Sequence, residues 1–188
     1  MSKHNSEPIW IEAGYNQFAA EGIEGIQVER LSRITGLNKA GYYHYFGDRE
    51  SFLEKLMERH LQLAESYTRD LKKIQHFDPE YMELLIQYAK QLMFTNQLVR
   101  NREIELLRNT HQLVNEMVDP ILSKLFADFI GFNDYIEFST RYYNQVRYMF
   151  HAQISPERIN YPFLRDFMYE AREVIQGAVE LAAKTQPL

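Results

Sequence analysis

Between Val28 and Phe46 the chain reads VERLSRITGLNKAGYYHYF, and its polar residues are bunched toward the end of that stretch. Lys39 supplies a cation, Tyr43 and Tyr45 supply phenolic hydroxyls, and His44 supplies an imidazole. Ala40 and Gly41 are small enough to let a partner come close to the backbone. Asn38 is suited to cap a helix by accepting its first amide hydrogens, which leaves neighbouring amides free for an anion. Arg30 in the preceding segment and Arg49 just beyond add positive charge. Cations, hydroxyls and amides gathered in this way suit hydrogen bonding to phosphates and base edges more than bond-breaking chemistry.

The elements around these residues give the same indication. Val28, Leu31 and Ile34 form the inner stripe of a short helix that ends at Gly36. Leu37 is the core plug of a tight turn, and a second helix runs from Asn38 to Phe46. Helix, glycine-containing turn, helix is the arrangement of a DNA-reading helix-turn-helix. Ahead of it, Ser6-Glu7-Pro8 opens a helix carrying Trp10, Ala13, Gly14 and Phe18, which closes at Gly22. Behind it, Asp48 caps a long fourth helix with Phe52, Leu56, His60 and Leu63 in one spiral row. Asp78-Pro79 and Asp119-Pro120 read as caps followed by a first-turn proline, and they place helices at 79–98, 103–117, 120–131, 134–154 and 162–184. No segment alternates with period two. The expected fold is all-α with about nine helices. A three-helix helix-turn-helix DNA-binding domain occupies 1–47, and a helical bundle for effector binding and dimerisation occupies 48–188. Helix four joins them.

Composition narrows the function classes. Lys and Arg number 21 against 26 Asp and Glu, a net charge of −5, so the chain as a whole does not advertise a polyanionic partner. Positive charge is local: residues 26–50 hold Arg30, Arg33, Lys39 and Arg49 against Glu29, Asp48 and Glu50. Phosphate contacts must therefore come partly from neutral donors. Cysteine is absent, which removes disulfides, thiolate metal sites and thiol nucleophiles, and fits a reducing cytoplasm. No apolar run reaches the roughly 18 residues of a membrane span, and the first residues lack the apolar stretch of a signal peptide. No G-x-x-x-x-G-K, G-x-S-x-G or H-E-x-x-H occurs, and none of the six histidines has Glu three residues before it, so no catalytic residue, metal site or cofactor is expected.

Three stretches carry a family resemblance: FAAEGIEG (Phe18 to Gly25), TGLNKAGYYHYF (Thr35 to Phe46) and GDRESFLEKL (Gly47 to Leu56). Together they resemble the N-terminal domain of TetR/AcrR-family transcriptional regulators. In that family a first helix ends Phe-Ala-x-x-Gly, and a Ser-Lys-Gly-Thr-Leu-Tyr-His-His-Phe segment forms the reading helix. The resemblance implies that Lys39 and Gly41 lie at the base-reading surface and that Tyr43 contacts phosphate or a base edge. Tyr45 would lie along the sugar-phosphate backbone, Arg49 would bind phosphate, and Tyr42 and Phe46 would anchor the helix to the core. Gly41 stands where the family usually has Thr, Tyr42 where it has Leu, and Ile26-Gln27 where a Ser or Thr caps the second helix.

The resemblance also implies a small-molecule effector held among the long helices. The candidate lining is Phe94, Phe126, Phe129, Tyr142, Tyr143 and Phe150, with Arg108 and His111 one turn apart as polar anchors. Two C-terminal helices are apolar on more than one side, so they are expected to pair with those of a second copy through Tyr143, Val146, Phe150, Phe167, Ala171, Val174, Ala178 and Leu181. The leading expectation is a homodimer bound to a palindromic double-stranded DNA operator and released from it by the effector. The alternative is a helical ligand- or protein-binding module with a degenerate reading head.

Overall fold

The computed structural model describes residues 5–185, apart from the side chains of residues 182, 183 and 185. The described residues form nine α-helices and no strand: α1 Glu7–Glu21, α2 Val28–Thr35, α3 Lys39–Phe46, α4 Arg49–Leu71, α5 Met82–Gln87, α6 Ala89–Arg100, α7 Glu105–Ile130, α8 Ile136–Gln153 and α9 Tyr161–Thr185. The all-α expectation holds, and none of these helices is long and apolar enough to cross a membrane.

The nine helices are not divided quite as the proline pattern suggested. Asp119-Pro120 does not start a helix; α7 runs straight through Pro120. A proline in a helix interior removes one hydrogen bond. Here Val114, Val118, Leu122, Phe126 and Ile130 recur every fourth residue and are all buried, so one apolar stripe holds the helix on both sides of the proline. Asp119 puts its carboxylate on Arg147 instead of on backbone amides. Asp78 likewise accepts from the Tyr161 and Tyr169 hydroxyls at 2.7 and 2.8 Å, while Glu80 takes the amides of Gln75 and His76. The single helix expected over 79–98 is interrupted at Tyr88, whose backbone leaves the helical region and whose hydroxyl donates to Asp70 at 2.6 Å.

The chain packs as two compact units, residues 1–67 with 90–117 and residues 68–89 with 118–188, where the sequence had placed one boundary at residue 47. Side-chain packing explains why α6 joins the first unit. The Phe94 ring stacks 4.4 Å from Tyr15 and 4.3 Å from His60, and lies 4.3 Å from Phe18. Gln97 donates to the Ala20 carbonyl, and Lys90 pairs with Glu12. The same core includes Trp10, Leu31, Tyr42, Phe46, Phe52 and Leu56. Gly14 lets α1 and α4 approach this closely, because a Cβ there would lie 2.4 Å from the Phe52 ring. Ile34, expected on the inner stripe of α2, is half exposed, and Leu31 is the side chain that α2 buries. The second unit has its own aromatic core in which Phe126 touches Phe77, Phe129 and Tyr143.

Two polar features sit inside the first unit. Thr95 donates its hydroxyl hydrogen to the Gln91 carbonyl, so its oxygen accepts from His60 Nε2 at 3.2 Å. His60 Nδ1 is then the unprotonated nitrogen and accepts from the Tyr15 hydroxyl at 2.8 Å. This relay crosses α1, α4 and α6 and requires a neutral imidazole. Burial, helped by nearby His111, pushes the His60 pKa from 6.5 down to about 3. The unfolded chain takes up a proton below pH 6.5 while the folded chain resists until about pH 3, so stability is complete above that range and is lost as pH falls through it. The second feature is Trp10 Nε1, a buried donor with no partner. A Cβ built on Gly41 would lie 3.8 Å from it, an ordinary contact distance.

Each feature gives a measurable outcome. Between pH 6.5 and 4.5, urea unfolding of the wild type should weaken more steeply than that of His60→Asn, by at most about 1.4 kcal/mol per pH unit. Parallel pH profiles would show that the imidazole is not held neutral. Gly41→Ser places a hydroxyl within reach of the indole N–H and removes a helix glycine. It should stabilise the fold by about 1 kcal/mol, read as a rise in Tm of about 2–4 °C.

Candidate nucleic-acid interface

The reading helix begins at the cap expected from the sequence. Asn38 has extended backbone, and its Oδ1 accepts from the Ala40 amide at 2.9 Å. Gly36, with φ of 69°, supplies the left-handed turn between α2 and α3. The Ser32 hydroxyl closes that turn by donating to the Leu37 carbonyl at 2.6 Å. Tyr42 and Phe46, one helical turn apart, are the buried residues of α3. Tyr42 lies 5.5 Å from Trp10 and 5.0 Å from Phe52, and Phe46 lies 4.7 Å from Phe52. Burial pushes the Tyr42 phenol well above its ordinary pKa, so it stays neutral. With that side of an eight-residue helix committed, Lys39, Ala40, Tyr43 and His44 are turned to solvent, Tyr43 with 53 % of its surface accessible.

Not every residue expected on this surface is free to act there. Tyr45 is half-buried, and its hydroxyl accepts the Ser6 amide at 3.2 Å, satisfying a backbone donor that the start of α1 leaves unpaired. Asn38 spends its oxygen on capping. Gly41 is half-buried against Trp10 rather than exposed. Three cations are engaged within the head: Arg30 with both carboxylate oxygens of Glu21, Arg49 with the Ile23 carbonyl, and Lys39 with Glu29 at 3.1 Å. The bonds from Arg30 and Lys39 hold the Glu21 and Glu29 carboxyls below the usual carboxylate range, so both acids stay charged. The sequence reading did not foresee these partners. Glu29 and Lys39 are ten residues apart on different helices, and no periodicity links them.

The candidate effector residues fall into two sets. Phe94, Arg108 and His111 belong to the first unit, where Phe94 is fully buried in the core around Tyr15, Phe18 and His60. Arg108 is exposed and donates to the Arg102 carbonyl, and His111 meets Asn115 at 3.3 Å. Phe126, Phe129, Tyr142, Tyr143 and Phe150 belong to the second unit. Phe126, Tyr143 and Phe150 are core residues there, and Tyr142 donates to the Ala171 carbonyl at 2.6 Å. Two open grooves in that unit, about 510 and 380 Å³, are lined by other residues, including Tyr161, Tyr169 and Glu173 in the larger and Lys72, Ile121 and Lys124 in the smaller.

The expected dimer residues also separate. Tyr143, Val146, Phe150 and Ala171 are buried within the second unit, which leaves them no surface to offer a second copy. Phe167 is half-buried, whereas Val174, Ala178 and Leu181 are exposed. The two-sided character of α8 is real, but its outer side is formed by Phe138, Tyr148 and Met149. Sequence periodicity finds both rows of such a helix without telling which one its own core consumes.

Comparison with known proteins agrees with this geometry. Residues 11–56 match the family of bacterial regulatory proteins, tetR family. The chain is 24% identical over 95 residues to an HTH-type transcriptional regulator of Staphylococcus aureus (strain USA300), covering 50% of this chain and 51% of that protein. It is 30% identical over 96 residues to the HTH-type transcriptional repressor AcnR of Corynebacterium efficiens, covering 47% and 51% respectively. The chain thus spans about half the length of the curated relatives it matches. A crystal structure from Rhodococcus sp., described as a TetR-family transcriptional regulator, superposes with a TM-score of 0.52 at 16% identity, over 94% of this chain and 97% of that one, and shares the fold. The matched residues form a capped, outward-facing helix on a tri-helical head, so residues 11–56 of this chain are similar in sequence and in arrangement to the domain described as bacterial regulatory proteins, tetR family.

Proposed function

We propose that this protein is a DNA-binding transcriptional regulator of the TetR family, a repressor that binds a palindromic operator as a homodimer and leaves it when a small molecule binds. The observation that carries the DNA-reading part is that Lys39, Ala40, Tyr43 and His44 are all exposed on a short helix anchored to the core by Tyr42 and Phe46. Lys39 and Tyr43 are donors with no task in the core, and the small, exposed Ala40 beside them keeps the helix surface low enough to enter a major groove. Support for repression comes from the similar AcnR protein, which carries that description.

Dimerisation follows from exposed apolar surface. Phe138, Tyr148 and Met149 on α8 and Val174 and Val179 on α9 are all more than 40 % accessible, and this much exposed apolar side chain on two long helices supports a contact surface there. The exposed Gly177 and Ala178 of α9 allow a second helix to approach closely. Two copies joined there present two reading heads, and operator symmetry then mirrors the protein's two-fold axis. An effector releases DNA only by binding the non-reading arrangement more tightly, by 1–3 kcal/mol for a typical coupling. Within the second unit, the partly accessible Phe129 and Tyr142 are the aromatic side chains offered for it.

Two measurements test this reading. Tyr43→Ala and Lys39→Ala should keep the wild-type helicity and weaken binding to duplex DNA from the chain's own upstream region about tenfold each, with wild-type affinity falling steeply as salt rises. Unchanged affinity in both variants would remove α3 as the reading surface and favour a ligand- or protein-binding module. In sedimentation at micromolar concentration the wild type should run as a dimer, and Phe138→Glu combined with Val174→Glu should run as a monomer. A monomeric wild type would reject the pairing.

A further inference from the structure

Glu29 is an acidic residue on the surface that faces DNA in the reading above, and an acid there needs a reason. Duplex backbone offers only acceptors, so a carboxylate is repelled along its whole length. In the major groove the exceptions are exocyclic amino groups, which donate. Glu29 sits near the start of α2, with Oε1 3.1 Å from Lys39 Nζ at the start of α3, and 67% and 50% of the two side chains are accessible. Lys39 keeps Glu29 ionised, with a smaller contribution from Arg33. The Arg33 side chain also donates to the Glu29 carbonyl at 3.4 Å, which holds it beside the same acid. One donor and one acceptor therefore stand side by side, contributed by two helices, next to Ala40, whose small side chain leaves room for a base edge.

A G·C pair presents the complementary arrangement. Guanine O6 and N7 accept, the cytosine N4 amino group donates next to O6, and lysine to guanine and glutamate to cytosine are the pairings that groove geometry favours. An A·T pair instead separates its two acceptors, adenine N7 and thymine O4, by the N6 donor and adds the thymine methyl group, so no adjacent pair of acceptors faces the cation. We infer that Glu29 and Lys39 act as one specificity-determining unit that reads a G·C base pair in each half-site, Lys39 donating to guanine O6 or N7 and Glu29 accepting from cytosine N4. This rests on the DNA-binding function proposed above. The ion pair pre-positions both side chains, so less side-chain freedom is lost when the base pair arrives. It also discourages random association, since Lys39 must leave a carboxylate to meet a phosphate.

The test is selection of duplexes from a random library by the full-length wild type, Glu29→Ala, Lys39→Ala and the swapped double variant Glu29→Lys/Lys39→Glu, each first shown to be helical by circular dichroism. The wild type should enrich a symmetric site containing a G·C pair in each half. Each single variant should lose its preference at that same base pair by about tenfold or more, with the rest of the site unchanged. The swapped variant should shift that preference toward the reversed pair, C·G, which a merely structural ion pair would not do. If the single variants keep the wild-type site, or lose preference at two different base pairs, the inference is wrong while DNA binding stands. It is equally wrong if Lys39→Ala weakens all sequences alike and lowers the salt slope by about one, since Lys39 then sits on phosphate. A wild type that enriches no duplex would remove both the inference and the function on which it rests.

Discussion

The burial of Tyr42 and Phe46 is the constraint on which the reading surface depends. One turn apart on an eight-residue helix, they fix its rotation against Trp10 and Phe52. A helix turns 100° per residue, so seating those two rings points Ala40 and His44 away from the core, while Lys39 and Tyr43 lie exposed along the flank of the buried side. The Asn38 cap and the left-handed Gly36 set where the helix begins, and the rings set which way it faces. A change in either ring's packing would rotate every outward side chain together, so this short helix depends on its core more than on its own propensity.

Charge is handled locally. The chain is acidic, and three cations of the head are already paired within it, Arg30 and Lys39 with carboxylates and Arg49 with a carbonyl. A surface of this kind does not draw DNA from a distance as a basic patch would. Binding to it is an exchange in which internal partners give way to phosphates and base edges. Such an exchange favours sequences that return the lost contacts, and for the DNA-binding function proposed here it leans on fit over long-range attraction.

The first unit also shows how far the head extends. Phe94, 48 residues beyond the end of α3, closes the aromatic core between Tyr15, Phe18 and His60, and the relay from Tyr15 through His60 to Thr95 ties α1, α4 and α6 with directional bonds. A polar chain inside an aromatic core admits one arrangement of its donors and acceptors, whereas ring packing alone tolerates sliding. The reading helices are therefore braced by a segment that lies outside the family-matched stretch of residues 11–56.

Much of this was legible in the sequence, because local chemistry decides it. Helix periodicity, the glycine stops at Gly22, Gly36 and Gly47, and the caps at Asn38 and Asp48 depend on neighbours within a few residues, and all of them stand in the structure. Tertiary structure decided what depends on distant partners. It passed α7 through Pro120 because a buried stripe outweighed one missing hydrogen bond, and it turned Asp78 and Asp119 from caps into partners for tyrosine and arginine. It put Tyr143, Val146 and Phe150 into the core of their own unit, and it set Glu29 against Lys39. Sequence spacing fixes which residues share a helix face. Which face is buried, and which charge meets which, is settled only when separate helices compete for the same contacts.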